Sequence, residues 1–132
     1  DLITSIVGIG SKTAYALLNA TGSLLHFKQA KQLSKFIGLV PSSHISGTSV
    51  RIRGRITKKG NTDLRAKLYM AARSAIRFNS ACKALYDRLR EKGKPYKKAM
   101  VAVMNKLIKQ AFGVVSSGVS FDNEMYHRLQ KK

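Results

Sequence analysis

The chain has 132 residues, 44% of them hydrophobic, and sets 25 lysines and arginines against 6 aspartates and glutamates, for a formal net charge of +19 and a pI near 10.6. That length fits one domain, or a compact pair of subdomains, with a modest core, and that charge points to a polyanion, nucleic acid before a membrane surface. No apolar run reaches the roughly 18 to 20 residues of a spanning helix, no leader pattern is visible, and the single Cys82 excludes an internal disulfide or a thiolate zinc site, so a soluble protein of a reducing cytoplasm is expected.

Residue 1 is Asp rather than Met, and Leu2, Ile3 and Ile6 open partway into an apolar pattern, so a piece of a longer protein is expected. Residues 6–22 read as a tight Gly8-x-Gly10 turn followed by a helix with Ala14, Leu17 and Leu18 on one face and Gly22 as its C-cap. Both glycines permit positive φ and close backbone approach. The N–H groups at the helix start, with Lys12 beside them, therefore form a candidate phosphate site. The turn resembles the hairpin of the helix-hairpin-helix module, a sequence-independent binder of the DNA backbone; the alternative is a tight connection between packed helices. From residue 23 to 39, Leu24, Leu25, Phe27, Ala30, Leu33, Phe36 and Ile37 keep helical spacing, with Lys28, Lys31 and Lys35 facing solvent, until Gly38 and Pro41 stop the pattern.

Residues 41–65 differ from both flanks. They combine hydroxyls (Ser42, Ser43, Ser46, Thr48, Ser49), the alternating Arg51, Arg53 and Arg55, and a Lys58-Lys59-Gly60-Asn61 lead-in to the next helix. Over residues 49–56 the period is two, with Val50, Ile52 and Ile56 on one side and the arginines on the other, which predicts a short β-ribbon with one packed and one cationic face.

Asn61 is the expected N-cap of a helix reaching about residue 79, with Leu64, Leu68, Ala71, Ala75 and Phe78 buried, Arg65 on the flank, and Arg73 and Arg77 opposite. The small Ala71, Ala72 and Ala75 predict that another helix packs close. Ser80 is the expected cap of a further helix with Cys82, Leu85, Tyr86 and Leu89 on one face, ended by Gly93 and Pro95. The longest amphipathic helix is expected from residue 95 to 112, with Met100, Val103, Met104, Leu107, Ile108 and Ala111 in its stripe. Beyond Gly113 a tail carries Phe121, Met125, Tyr126 and Leu129. The reading is a mainly α, compact multi-helix domain of about five helices: a helix-hairpin-helix-like segment over 1–40, a core over 41–118 that includes the β-ribbon or loop with the Ser-Gly motif, and a tail over 119–132.

The six acids are scattered, and only Asp87 and Glu91 share a helix face, where they balance Arg88, Arg90 and Lys94. No metal site is expected in this chain. A serine attacking a phosphodiester needs an exposed hydroxyl on a glycine-flanked turn and cations to stabilise the phosphorane, and Ser46-Gly47 followed by Arg51, Arg53 and Arg55 supplies those parts. His44 is a candidate base or an ordinary loop histidine.

The runs Phe36-Ile-Gly-Leu-Val-Pro41, Ser46-Gly47, Arg53-Gly-Arg-Ile-Thr-Lys-Lys-Gly-Asn61 and Leu64-Arg65, preceded by Gly8-Ile-Gly-Ser-Lys-Thr-Ala14, resemble the C-terminal domain of the bridge-RNA-guided DEDD transposases of bacterial insertion sequences, a family that includes the pilin-inverting DNA invertases. The likeness covers most of residues 1 to about 118. It implies an N-terminal RuvC-like domain, outside this chain, whose acidic residues bind Mg2+, and a C-terminal serine that joins covalently to a DNA phosphate while a structured guide RNA selects target and donor. The family serine falls on Ser46. Family members often carry Ser-Ser-Gly-Gly-Lys where this chain has Ile45-Ser46-Gly47-Thr48-Ser49, which makes Ser49 the reserve nucleophile and removes one lysine contact. DNA and guide RNA are then the expected partners, Gly8, Gly10, Lys12, Arg51, Arg53, Arg55, Lys58, Lys59 and Arg65 the expected nucleic-acid contacts, a homo-oligomer the expected state of the longer protein, and the bacterial cytoplasm, at the nucleoid when active, its location. The rival is a non-catalytic nucleic-acid-binding module of the helix-hairpin-helix or ribosomal type.

Overall fold

A computed structural model describes residues 2–39 and 58–124, for residues 58–61 in the backbone alone. Five α-helices follow a 3-10 turn at Ile3–Ser5: α1 (Ser11–Thr21), α2 (Ala30–Ile37), α3 (Lys58–Phe78), α4 (Ser80–Glu91) and α5 (Tyr96–Ser117), with no strand among the described residues. The mainly helical expectation is met. The β-ribbon expected over residues 49–56 lies outside the described residues.

Helices α3, α4 and α5 each pack on the other two, α1 lies on α3, and α2 lies on α5. The stripe Met100, Val103, Met104, Leu107, Ile108, Ala111 of α5 is buried as its spacing predicts, and it shares one core with Leu64, Leu68, Ala71, Ala72 and Ala75 of α3, Leu17 of α1, and Leu33 and Ile37 of α2. Glycine ends several helices. Gly22 (φ 75°) closes α1, with its N–H on the Leu18 carbonyl at 2.8 Å. Gly38 (φ 88°) closes α2, where the N–H of buried Leu39 also turns back to the Ser34 carbonyl at 2.9 Å.

Several boundaries differ from the expectation. Residues 23–39 do not form one helix: Leu24–His26 is a 3-10 turn, capped by the Ser23 hydroxyl on the Leu25 N–H at 3.2 Å, and it buries Leu24 while Leu25 stays exposed. Helix α3 starts at Lys58, so Asn61 lies inside its first turn and is not its N-cap. The cap of α4 is Asn79 rather than Ser80, with its side-chain oxygen accepting from the Cys82 N–H at 3.3 Å. Phe78, expected in the core, is 61% exposed, with the Arg77 guanidinium over its ring at 5.4 Å. Helix α5 runs through Gly113 to Ser117 because buried Val114 and half-buried Val115 prolong the stripe and offset the roughly 1 kcal/mol that a helical glycine costs.

The paired glycines before α1 are not equivalent. Gly8 has φ 106°, and a Cβ there would lie 3.0 Å from the Ala71 carbonyl oxygen and 3.1 Å from the Ala75 Cβ. The close approach that the alanines of α3 predicted is thus made in part by this turn, not only by a helix. Gly10 has φ −90° and ψ 177°, ordinary extended backbone, and a Cβ there would meet nothing within 4 Å. Positive φ therefore belongs to Gly8 alone. Gly8→Ala is expected to lower stability by about 2–4 kcal/mol through backbone strain and overpacking, whereas Gly10→Ala should shift a thermal melt little; equal shifts would contradict this geometry.

Candidate nucleic-acid interface

Among the expected contacts, Gly8, Gly10 and Lys12 come together in one turn. Gly10 is the N-cap of α1 and has no side chain to cap the first-turn N–H groups; the helix's own bonding begins at the Ala14 N–H on the Gly10 carbonyl, 3.0 Å. No acid occupies that first turn. Exposed Ser11, Lys12 and Tyr15, the last 71% exposed, line a shallow hollow with Leu18. A positive helix end, an ammonium and an open approach suit an anion. Gly8, in contrast, is half-buried and brings its α-carbon close to Ala71 and Ala75 of α3.

Arg65 lies half-buried on α3, and Lys58 and Lys59 fall in its first turn by backbone. Ser46, Ser49, His44, Arg51, Arg53 and Arg55 lie outside the described residues.

A second cationic region does not stand out in the sequence. Around the α4–α5 turn, Arg88, Arg90, Lys92, Lys94, Lys97 and Lys98 are all exposed, with Glu91 the one acid in that stretch of sequence. The turn is held firmly. Gly93 (φ 84°) donates to the Arg90 carbonyl at 3.0 Å, the Lys94 N–H returns to the Leu89 carbonyl at 3.0 Å, and Arg90 Nη1 donates to the Lys94 carbonyl at 2.9 Å. Asp87, expected to balance the arginines, pairs instead with Lys83 one turn earlier at 3.3 Å. The signal was present as six cations in eleven residues, but it reads from sequence as solvated helix ends.

Asn79, fully buried, ties the interface elements together. Its Nδ2 donates to the Val7 carbonyl (3.0 Å) and to Gln110 Oε1 (2.9 Å), while its Oδ1 accepts from the Cys82 N–H and from Gln110 Nε2, each at 3.3 Å. One amide thus joins the turn before α1, the start of α4 and the middle of α5. Burial pushes the neighbouring Cys82 thiol up to about 12, against smaller lowering effects of Lys106 and Gln110, so it stays protonated and unreactive. Among the described residues no three His, Cys, Asp or Glu side chains come close enough to share a metal ion. The acids in view do not fit a Mg2+ site, and no helix there is long and apolar enough to cross a membrane.

Comparison with known proteins completes this picture. The family model described as the Transposase IS116/IS110/IS902 family matches residues 1–87. The chain is 34% identical over 128 residues to the pilin gene-inverting protein of Moraxella bovis, covering 96% of this chain and 39% of that protein. It is also 36% identical over 107 residues to the transposase for insertion sequence element IS1111A of Coxiella burnetii, covering 79% of this chain and 29% of that protein. The chain therefore spans about two fifths of the pilin-inverting protein's length. With the family model covering more than half of the chain, and with the pilin gene-inverting protein 34% identical over 96% of it, the chain belongs to the Transposase IS116/IS110/IS902 family.

Proposed function

We propose that this chain is the C-terminal domain of an insertion-sequence transposase or recombinase, that it binds DNA and a structured guide RNA through its cationic surface, and that it supplies Ser46 as the nucleophile for strand cleavage and exchange. The observation that carries the reading is the alignment over 96% of this chain with a protein named for gene inversion, joined by a second relative named as a transposase. In the reaction the Ser46 Oγ forms a bond to phosphorus as the phosphorus–oxygen bond to one deoxyribose breaks. The serine proton leaves, and the departing sugar oxygen takes one up. The arginines that follow in sequence, Arg51, Arg53 and Arg55, supply cations for the pentavalent phosphorus, and Lys58, Lys59 and Arg65 add phosphate contacts. The acids and Mg2+ of the resemblance belong to a domain outside this chain, so the isolated chain is expected to bind DNA without cutting it. The deciding experiment is trapping of a covalent protein–DNA adduct in the full-length protein, with and without Ser46.

Binding itself is tested on this chain. If about six phosphates are engaged, log K should fall against log salt with a slope near −5; a slope near zero would remove nucleic acid as the partner. Gly10→Asp separates contact from scaffold at α1. An aspartate is a good N-cap, so the fold should hold or gain a few tenths of a kcal/mol, yet its charge occupies the site a phosphate would take. Weaker duplex binding with an unchanged melt assigns α1 to the interface. Unchanged binding reduces the Gly8-x-Gly10 turn to scaffold, a role consistent with the close approach of Gly8 to Ala71 and Ala75 of α3.

A further inference from the structure

Three tyrosines meet where α3, α4 and α5 converge beside the cationic α4–α5 turn. The Tyr69 and Tyr96 hydroxyls share a hydrogen bond at 2.9 Å although both rings stay open to solvent, at 36% and 40% exposure. Tyr86, half-buried, meets Tyr96 nearly at right angles, ring centroids 6.4 Å apart. Arg73 stands one turn along α3 from Tyr69, with its Nη1 3.9 Å from the sulfur of exposed Met70. Lys94 and Lys97 flank Tyr96 in sequence.

Two exposed aromatic rings fixed by each other, on a surface of strongly positive charge, are unusual as mere packing. Their hydroxyls are satisfied by one another, so the polar ends need nothing further and the ring surfaces remain available. A rigid aromatic loses little entropy when a flat partner stacks on it. Paired bases keep their faces inside the duplex, whereas unpaired bases present them, and stacking on aromatics with cations along the backbone is how unpaired strands are held.

We propose that Tyr69 and Tyr96, supported by Tyr86 and flanked by Arg73, Lys94 and Lys97, form a stacking platform for an unpaired nucleotide segment. The platform goes beyond the serine chemistry and rests only on the nucleic-acid-binding part of the function proposed above. Its site is separate in sequence from residues 41–65, so it and Ser46 fail independently.

The test uses the 132-residue chain with labelled oligothymidine, oligouridine of the same length, and a duplex of that length, read by anisotropy at fixed salt. Tyr69→Ala and Tyr96→Ala should each weaken single-strand binding about five-fold or more while changing duplex binding less than about two-fold; Tyr69→Phe, which keeps the ring, should bind as the unaltered chain. Preference between the two oligomers then identifies the strand as DNA or RNA. Photo-crosslinking of a bromouracil-substituted oligomer to the unaltered chain should place adducts on Tyr69 or Tyr96, which decides the matter even if the alanine variants lose helicity. Equal losses for single strand and duplex, no loss in folded alanine variants, or adducts confined to other residues would overturn the platform. Intact duplex binding in that event would leave the proposed function standing.

Discussion

Asn79→Leu is expected to lower the melting temperature by about 10 °C or more, the largest stability effect of any single substitution considered for this chain. Leucine matches asparagine in the number and branching of its side-chain heavy atoms but is bulkier, so some overpacking adds to the lost hydrogen bonds. The loss begins with the cap: without Oδ1 the Cys82 N–H has no side-chain acceptor, a change costing about 0.5–2 kcal/mol. The Val7 carbonyl and the Gln110 amide, both half-buried, then lose their partner inside the fold, and each group left unmatched adds up to about 1–3 kcal/mol. A total of about 2.5–8 kcal/mol is a large part of the 5–15 kcal/mol that holds a typical domain together. Asn79→Asp should also melt well below the unaltered chain, because it places a carboxylate at a fully buried site. It keeps an acceptor at the start of α4, where negative charge is favourable, but cannot donate to Val7. Thermal unfolding followed by circular dichroism orders the three proteins, and an Asn79→Leu melt within about 2 °C of the unaltered chain would show that the network does not hold the fold together.

The same residue shows where sequence reading stops. The helix ends set by Gly22, Gly38 and Gly93 and the α5 stripe were legible because a cap or an amphipathic face is decided by residues a turn or two away. Asn79 looked like the last residue of a helix, since its partners Val7 and Gln110 lie 72 and 31 positions off. Gly8 and Gly10 look alike in sequence, and only the approach of Ala71 and Ala75 separates a left-handed glycine from an ordinary extended one. Ser80 and Asn61 have the local chemistry of a cap and nothing more. At Ser80 the competing Asn79 stood one position earlier, and at Asn61 the helix had already begun. The tyrosine pair joins residues 27 apart across two helices, which neither periodicity nor composition encodes. In the candidate site the split is similar. The cationic excess could be read directly, and most of the motif block over residues 41–65 lies outside the described residues, whereas the exposed cations around the α4–α5 turn stand beside Tyr96, Tyr69 and Tyr86 only in three dimensions.

Ser46→Ala in the full-length protein is expected to abolish the covalent protein–DNA adduct on a nicked substrate with magnesium and guide RNA present. Removal of a covalent nucleophile costs on the order of 10⁶ in rate, far below detection in such an assay. Nucleic-acid affinity should change by less than about ten-fold, because one hydroxyl contributes about 0.5–1.5 kcal/mol at most, beside the several phosphate contacts available to Arg51, Arg53, Arg55, Lys58 and Lys59. Affinity and chemistry therefore separate in this variant, as they would not if the substitution merely disordered the segment. Ser49→Ala should keep the adduct, which distinguishes the two serines that spacing alone leaves open. On the proposed division of the chemistry between two domains, the isolated chain should form no adduct with either serine intact. Peptide mapping that places the DNA phosphate on Ser49, or an adduct that persists in Ser46→Ala, would move the nucleophile elsewhere. A full-length protein that forms no adduct under any of these conditions would return the chain to the class of binding modules.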